Sequence, residues 1–141
     1  MSKLQPAAIK EIVNAINEGN TCFLHRFSAK ITVIDNKLED PVELEKQNKL
    51  IAQIEKKIES YIRIDQPTTE DQLVIMQDFL DDVPDKSIRK QLSNALNRGN
   101  PVRNFLQVVE SDMVLNIHWN RFNFVEQQRW VSNIIIDAYN Y

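Results

Sequence analysis

Glycine, cysteine and histidine are scarce in this chain of 141 residues, and their scarcity excludes several kinds of site. The two glycines, Gly19 and Gly99, cannot build a glycine-rich loop around a phosphate group. The single cysteine, Cys22, excludes an internal disulfide and fits a reducing compartment. The two histidines, His25 and His118, are not part of any set of ligands at metal-binding spacing. We therefore expect neither a metal site nor a cofactor.

Excess positive charge and long apolar runs are also lacking. The net charge of −3 and the isoelectric point near 5.4 exclude a chain-wide basic footprint for DNA or RNA. The longest nearly apolar run, WVSNIIIDAY, is far too short to span a bilayer. The first twenty residues alternate charged and apolar side chains, unlike a secretory signal. We expect a cytoplasmic protein of one domain, 1–141, without a membrane partner.

The spacing of apolar residues predicts an α+β fold, with a small antiparallel three-stranded sheet in the N-terminal half packed with a helical C-terminal half. The first part, 1–66, reads as helix, hairpin, helix and strand, and the second part, 67–141, has a helical period throughout. The predicted elements are a helix over 6–18, strands over 21–27 and 31–35, a helix from Pro41, a strand over 61–65, helices over 69–83 and 86–97, one from Pro101, and one or two over 112–138.

The first predicted strand separates the reactive side chains of the N-terminal part. Alternation places Phe23, His25 and Phe27 on one face and Cys22 on the other, which argues against a paired thiolate and imidazole. No nucleophile motif or catalytic triad signature is present. We expect no catalytic residue, and we interpret both histidines as partly buried, hydrogen-bonded packing residues.

The stretch LNRGNPVRNF at 96–105 holds the candidate binding residues Arg98, Asn100, Arg103 and Asn104. From 86 to 103 the chain has five basic residues and no acidic one. Pro101 opens a helix, whose first N–H groups carry partial positive charge. Both arginines are therefore candidates for holding an anion, such as a phosphate or a partner's carboxylate.

The same arginines have a structural interpretation, which is the one we favour. The preceding helix ends with the carboxylates Asp78, Asp81 and Asp82, which are unfavourable near the negative end of a helix dipole. Arg98 or Arg103 reaching back to them would lock neighbouring helices together with bidentate bonds. The aspartates lack the glycine and the alternating oxygen ligands of a calcium loop.

Several longer stretches resemble an uncharacterised family of small bacterial proteins. They are IMQDFLDDVPD at 75–85, ALNRGNPVRNF at 95–105, and the hairpin runs CFLHRF and ITVID, followed by YIRI. Trp119 and Phe122 supply a W-x-x-F pair after the A-L-N-R-x-x-P-x-R-N-F signature. The resemblance covers most of the chain and implies a fold without bringing a known activity.

Three functions remain open on the sequence. The first is a non-enzymatic binding or interaction domain with a local basic surface at 86–103, steered toward an acidic partner. The second is an enzyme or sensor for a phosphorylated or other anionic small molecule at the Pro101 helix end. The third is nucleic-acid association, which the acidic total disfavours; the aromatic stripe that includes Trp119 and Phe122 is better interpreted as core. The sequence does not fix the oligomeric state.

Overall fold

The computed structural model describes residues 5–139 and confirms the α+β class. This part of the chain contains α1 (Pro6–Asn17), β1 (Thr21–His25), β2 (Ile31–Ile34), α2 (Pro41–Lys56), β3 (Tyr61–Ile64), α3 (Thr69–Leu80), α4 (Lys86–Leu96), α5 (Pro101–Glu110) and α6 (Met113–Tyr139). The C-terminal stretch is one continuous helix, which resolves the choice between one helix and two. Within the described residues, no helix has the length and apolar character that crossing a membrane requires.

The described chain divides into two compact units. The first contains the residues up to Gln66 together with those from Gln128 onward, and the second runs from Pro67 to Gln127. The boundary after Gln66 coincides with the change of apolar spacing in the sequence. The end of α6 nevertheless belongs to the first unit, although the sequence pattern assigns it to the helical part. That the chain forms one domain stays a prediction.

The first unit is built on an antiparallel sheet with the strand order β2-β1-β3. Phe23 in the central strand pairs with Thr32 on one side and Arg63 on the other. Because side chains alternate along a strand, Phe23 and His25 share one face while Cys22 lies on the other. The separation of the cysteine from the histidine follows from this register, as the sequence predicts.

Helices cover both faces of the sheet. α2 packs against the Phe23 face through Ile54, with Ile51 beside it. α1 contacts β1 and β2, and the charge of Glu11 acts on Cys22, which places α1 over the opposite face. Ile54 is the buried residue of α2, so most of that helix is solvated, as its narrow apolar stripe predicts.

A histidine side chain closes the turn between β1 and β2. Nδ1 of His25 accepts hydrogen bonds from the backbone N–H groups of Phe27, at 3.2 Å, and Ser28, at 3.1 Å. Ala29 then adopts the left-handed conformation, with φ of 60°. The prediction that the strand continues to Phe27 is wrong, because the imidazole captures the following N–H groups and turns the chain after His25. Phe27 consequently lies in the turn with its side chain 80% exposed.

Arg26 ties the end of β1 to the last turn of α6. Its Nη1 donates to the carbonyl of Ala138 at 2.9 Å, and the hydroxyl of Tyr139 donates to the carbonyl of Arg26. The guanidinium carbon also lies 5.9 Å from the centre of the Tyr139 ring. A cation at the C-terminal end of a helix offsets the negative end of the helix dipole. Val131 and Ile135, in the same segment of α6, are buried.

The second unit is organised around the ring of Phe79 in α3. Its centre lies 6.1 Å from Phe105 of α5 and 5.2 Å from both Trp119 and Phe122 of α6, in edge-on or tilted contacts. Phe79 and Phe105 are fully buried, and Trp119 is nearly so. These rings are packing residues, so Trp119 and Phe122 do not form an exposed platform for bases.

We expect Cys22 to make stability fall at alkaline pH. Burial first, and the negative charge of Glu11 second, raise the pKa of the thiol from 9.0 to about 11. The folded chain therefore keeps a proton that the unfolded chain loses. The resulting stabilisation is fully present below pH 9 and is lost as the pH rises toward 11. The difference in the free energy of unfolding between the wild type and Cys22→Ala should shrink over this window.

Denaturant unfolding of both chains from pH 8 to pH 11 measures this difference and cancels the titration of lysines and tyrosines, which the two chains share. Thiol-specific labelling of the native wild type at pH 8 serves as the independent measurement, and it should proceed only as fast as the chain opens. A stability difference that stays constant across the window would contradict the burial of an uncharged thiol.

Candidate anion or partner site at the α4–α5 turn

α4 supplies the first cations of the candidate site. The helix is fixed at its start by Asp85, whose carboxylate accepts hydrogen bonds from the N–H groups of Ser87, at 2.8 Å, and Ile88, at 3.1 Å. Its apolar side buries Leu92 and Ala95. The polar side of this amphipathic helix therefore faces solvent with its lysines.

The cations of 86–103 lie outside the ion pairs formed among the described residues. Four of the five, all except Arg89, are exposed: Lys86, Lys90, Arg98 and Arg103. Arg89 is half-buried and donates from Nη2 to the carbonyl of Pro84 at 3.4 Å. The salt bridges formed within residues 5–139 involve none of the five. A local excess of positive charge thus lies on a chain whose net charge is −3.

The turn between α4 and α5 is held by amide side chains. Asn100 stands at the N-cap of α5 in the left-handed conformation, with φ of 60° and ψ of 54°, and its side chain makes no capping bond. Its carbonyl accepts from the N–H of Asn104 at 3.0 Å, while Nδ2 of Asn104 donates to the carbonyl of Gly99 at 2.7 Å. Asn104 is therefore a structural residue of the turn, and Asn100 contributes its backbone conformation.

Arg98 and Arg103 line different concavities. Arg103 lies beside a concavity of about 670 Å³ between α5 and the start of α3, where Gln72 and Glu110 also contribute. Arg98 lines a smaller one, of about 290 Å³, between α4 and α5, next to Asn104. The two concavities adjoin each other, since Gln107 lines both, but each is lined by only one of the two arginines. Asn100 accompanies Arg103 in the larger concavity.

The aspartates at the end of α3 have a different partner from the one expected. Asp78, Asp81 and Asp82 are exposed, and the carboxylate of Asp82 accepts a hydrogen bond from Nε2 of His118 at 2.7 Å. Neither Arg98 nor Arg103 takes part in an ion pair with them among the described residues. The expected ion pairs of Arg98 and Arg103 with these aspartates are absent among the described residues, and His118 of α6 is the partner of Asp82.

The pair of Asp82 and His118 is the feature that sequence reasoning missed. The two residues are 36 positions apart, and no local pattern links them. The ring of His118 also packs edge-on against Phe79, with 4.8 Å between the ring centres. Both histidines of the chain thus act as half-buried, hydrogen-bonded packing residues. Among the residues described, no cluster of three histidine, cysteine or acidic side chains is arranged to hold a metal ion.

Asn100 should tolerate glycine but not alanine. A left-handed backbone costs a residue with a Cβ atom about 1–2 kcal/mol, and asparagine tolerates it better than alanine. Asn100→Ala should therefore lower the free energy of unfolding by about 1 kcal/mol, whereas Asn100→Gly should change it by only a few tenths. Urea denaturation of the three chains measures the effect. Equal losses for both variants would mean that the side-chain amide, and not the backbone, stabilises the turn.

Comparison with known proteins places most of the described chain in one family. Residues 6–137 match the profile of Uncharacterised protein family (UPF0158). Neither the curated proteins nor the solved structures give a match. The match covers α1 through nearly all of α6 and therefore includes both units. On this coverage, the chain is a member of Uncharacterised protein family (UPF0158).

Proposed function

We propose that this protein is a non-enzymatic interaction domain that binds an acidic segment of a partner protein through its basic surface. The basic surface is defined as the exposed cations of 86–103, which are Lys86, Lys90, Arg98 and Arg103. The single observation that carries the proposal is that none of them is neutralised by a carboxylate among the described residues.

The distribution of the cations favours an extended partner over a compact ligand. Arg98 and Arg103 border separate concavities, so a segment that follows the surface of α5 can meet both, whereas a small anion meets one. Guanidinium groups bind carboxylates through two parallel hydrogen bonds, which gives such contacts direction as well as attraction. Charge on one face of an acidic chain also steers an acidic partner toward that face.

A second candidate function is the binding of an anionic small molecule beside the N-terminus of α5. The larger concavity favours it, because it is lined by Arg103 and by Asn100, whose side chain makes no capping bond. The first N–H groups of α5 carry partial positive charge at the same end of the helix. Glu110 lines the same concavity and opposes an anion there, which is why we rank this function second.

Charge reversal of the two arginines tests the proposal. The double variant Arg98→Glu/Arg103→Glu should lose retention on immobilised polyglutamate, a probe for an acidic protein segment. The wild type should be retained at low salt and released as the Debye length falls from about 30 Å at 0.01 M to about 8 Å at 0.15 M. The control double variant Lys57→Glu/Arg121→Glu changes two exposed cations outside the basic surface and lowers the net charge by the same four units.

The probes separate the competing functions. Equal loss of retention in both double variants would mean that net charge alone explains the retention. This result would contradict a defined basic surface. Stronger, salt-dependent retention on double-stranded DNA than on polyglutamate would favour nucleic-acid association instead. Amide chemical shifts that change with inorganic phosphate at Val102 and Arg103, without retention on polyglutamate, would favour the small-molecule function.

A further inference from the structure

The β2 edge of the sheet in the first unit is short, but it lacks the charged residues and prolines that often block strand addition. β1 is the central strand, so β2 and β3 each have an open side within the sheet. β3 carries Arg63, which forms an ion pair with Asp65 at 2.9 Å. β2 reads ITVI, with no charge, proline or glycine. Charged residues and prolines are common means of preventing an edge strand from pairing, and β2 has neither.

The hydrogen bonds next to β2 identify which of its backbone groups point outward. The N–H of His25 donates to the carbonyl of Lys30 at 2.9 Å, and bonded pairs recur at every second residue of an antiparallel ladder. Thr32 therefore bonds to β1, while the N–H and C=O groups of Ile31 and Val33 point away from it. Within residues 5–139, the hydrogen bonds outside the sheet ladder include none to these four groups.

The next outward-facing residue is Asp35, and its backbone N–H and C=O groups are both bonded to the side chain of Gln47. Oε1 of Gln47 accepts from the N–H of Asp35 at 2.9 Å, and Nε2 of Gln47 donates to its carbonyl at 3.0 Å. One side-chain amide thus supplies the donor and the acceptor that a residue of a neighbouring strand would supply. This contact limits the free part of the edge to Ile31 and Val33.

We propose that β2 pairs in antiparallel fashion with β2 of a second copy of this chain, about a two-fold axis at Thr32. Ile31 then lies opposite Val33 of the second copy, and Val33 lies opposite its Ile31. Each such pair exchanges two backbone hydrogen bonds, so every outward group of both strands is satisfied. A register shifted by two residues would bring Ile31 opposite Asp35 of the second copy. The backbone N–H and C=O of Asp35 are already bonded to Gln47, so this register would leave groups of Ile31 unpaired.

The side chains of β2 are complementary to themselves in the same register. Val33 is 40% exposed, and pairing covers it with Ile31 of the second copy, a contact between two β-branched residues. Thr32 lies opposite Thr32 of the second copy across the two-fold axis. A concavity of about 460 Å³ beside Val33, bordered by Lys10 and Asn14 of α1, leaves space for side chains of the second copy. A second copy therefore fits both the hydrogen bonds and the apolar contacts of this edge.

The oligomeric state and its dependence on Val33 test the proposal. The full chain should sediment as a dimer of 16.5 kDa protomers in analytical ultracentrifugation. Val33→Lys places a charge on the edge and should weaken the dimer at least about tenfold, since edge lysines disfavour strand pairing. Val42→Lys is the matched control, because Val42 is 61% exposed at the start of α2 in the same unit, and it should leave the dimer intact.

Amide hydrogen exchange distinguishes this dimer from one formed by another surface. In the wild type, exchange at Ile31 and Val33 should slow as the protein concentration rises, because only the second copy accepts from those groups. A dimer in which both amides exchange rapidly would overturn the proposal. A chain that remains monomeric up to about 1 mM, the weak end of ordinary affinities, would also overturn it.

A second substitution covers the case in which Val33→Lys disturbs folding. Val33→Pro removes only the outward N–H, because the N–H of this residue takes no part in the ladder with β1. It should produce a monomer with the circular dichroism of the wild type. A Val33→Pro chain that still dimerises with wild-type affinity would overturn the proposal.

Discussion

Phe79 determines the geometry of the second unit, because α3, α5 and α6 all place an aromatic ring against it. Phe105, Trp119 and Phe122 surround its side chain at centre distances of 5.2 to 6.1 Å. Aromatic pairs of this kind contribute about 0.5–1.5 kcal/mol each beyond the burial of their area. The arrangement fixes α5, and α5 in turn carries the turn that presents Arg98 and Arg103. The basic surface therefore depends on a core that contains none of its residues.

Side-chain amides fix several connections of this chain. In each case the amide donates a hydrogen bond to a backbone carbonyl near the end of a helix. Asn36 donates to Gly19 at 3.0 Å, Gln66 to Ile16 at 2.7 Å and Asn104 to Gly99 at 2.7 Å. Such bonds satisfy carbonyls that would otherwise need water or a further strand. The result is a set of connections fixed by side chains.

The sequence predicts the elements of the fold well because their signals are local. Thr68 and Asp71 form a reciprocal capping box, and Pro101 opens α5 where a proline is tolerated at the first helical position. The apolar period then sets the length of each helix to within a few residues. The end of β1 is less accurate, since the side chain of His25, and not an intrinsic preference of Phe27, starts the turn.

Local sequence patterns do not predict the contacts of the candidate site. The run of cations at 86–103 is visible in the sequence, but the partner of Asp82 is not, because His118 reaches it only after α3 and α6 have packed. That Arg98 and Arg103 line different concavities likewise depends on how α4 and α5 pack. The sequence places arginines and aspartates close enough along the chain to suggest ion pairs between them. In the described part of the structure, Arg98 and Arg103 form none.

The first unit is divided between two segments of the chain, which bears on the order in which it acquires its structure. The first unit includes residues that precede the second unit in the chain and residues that follow it, while the second unit is continuous. During synthesis the ribosome releases the N-terminal strands long before it releases the segment of α6 that holds Val131 and Ala138. The second unit, complete at Gln127, has all its residues first. The strands of the first unit therefore obtain their full set of neighbours only after the second unit has all its residues.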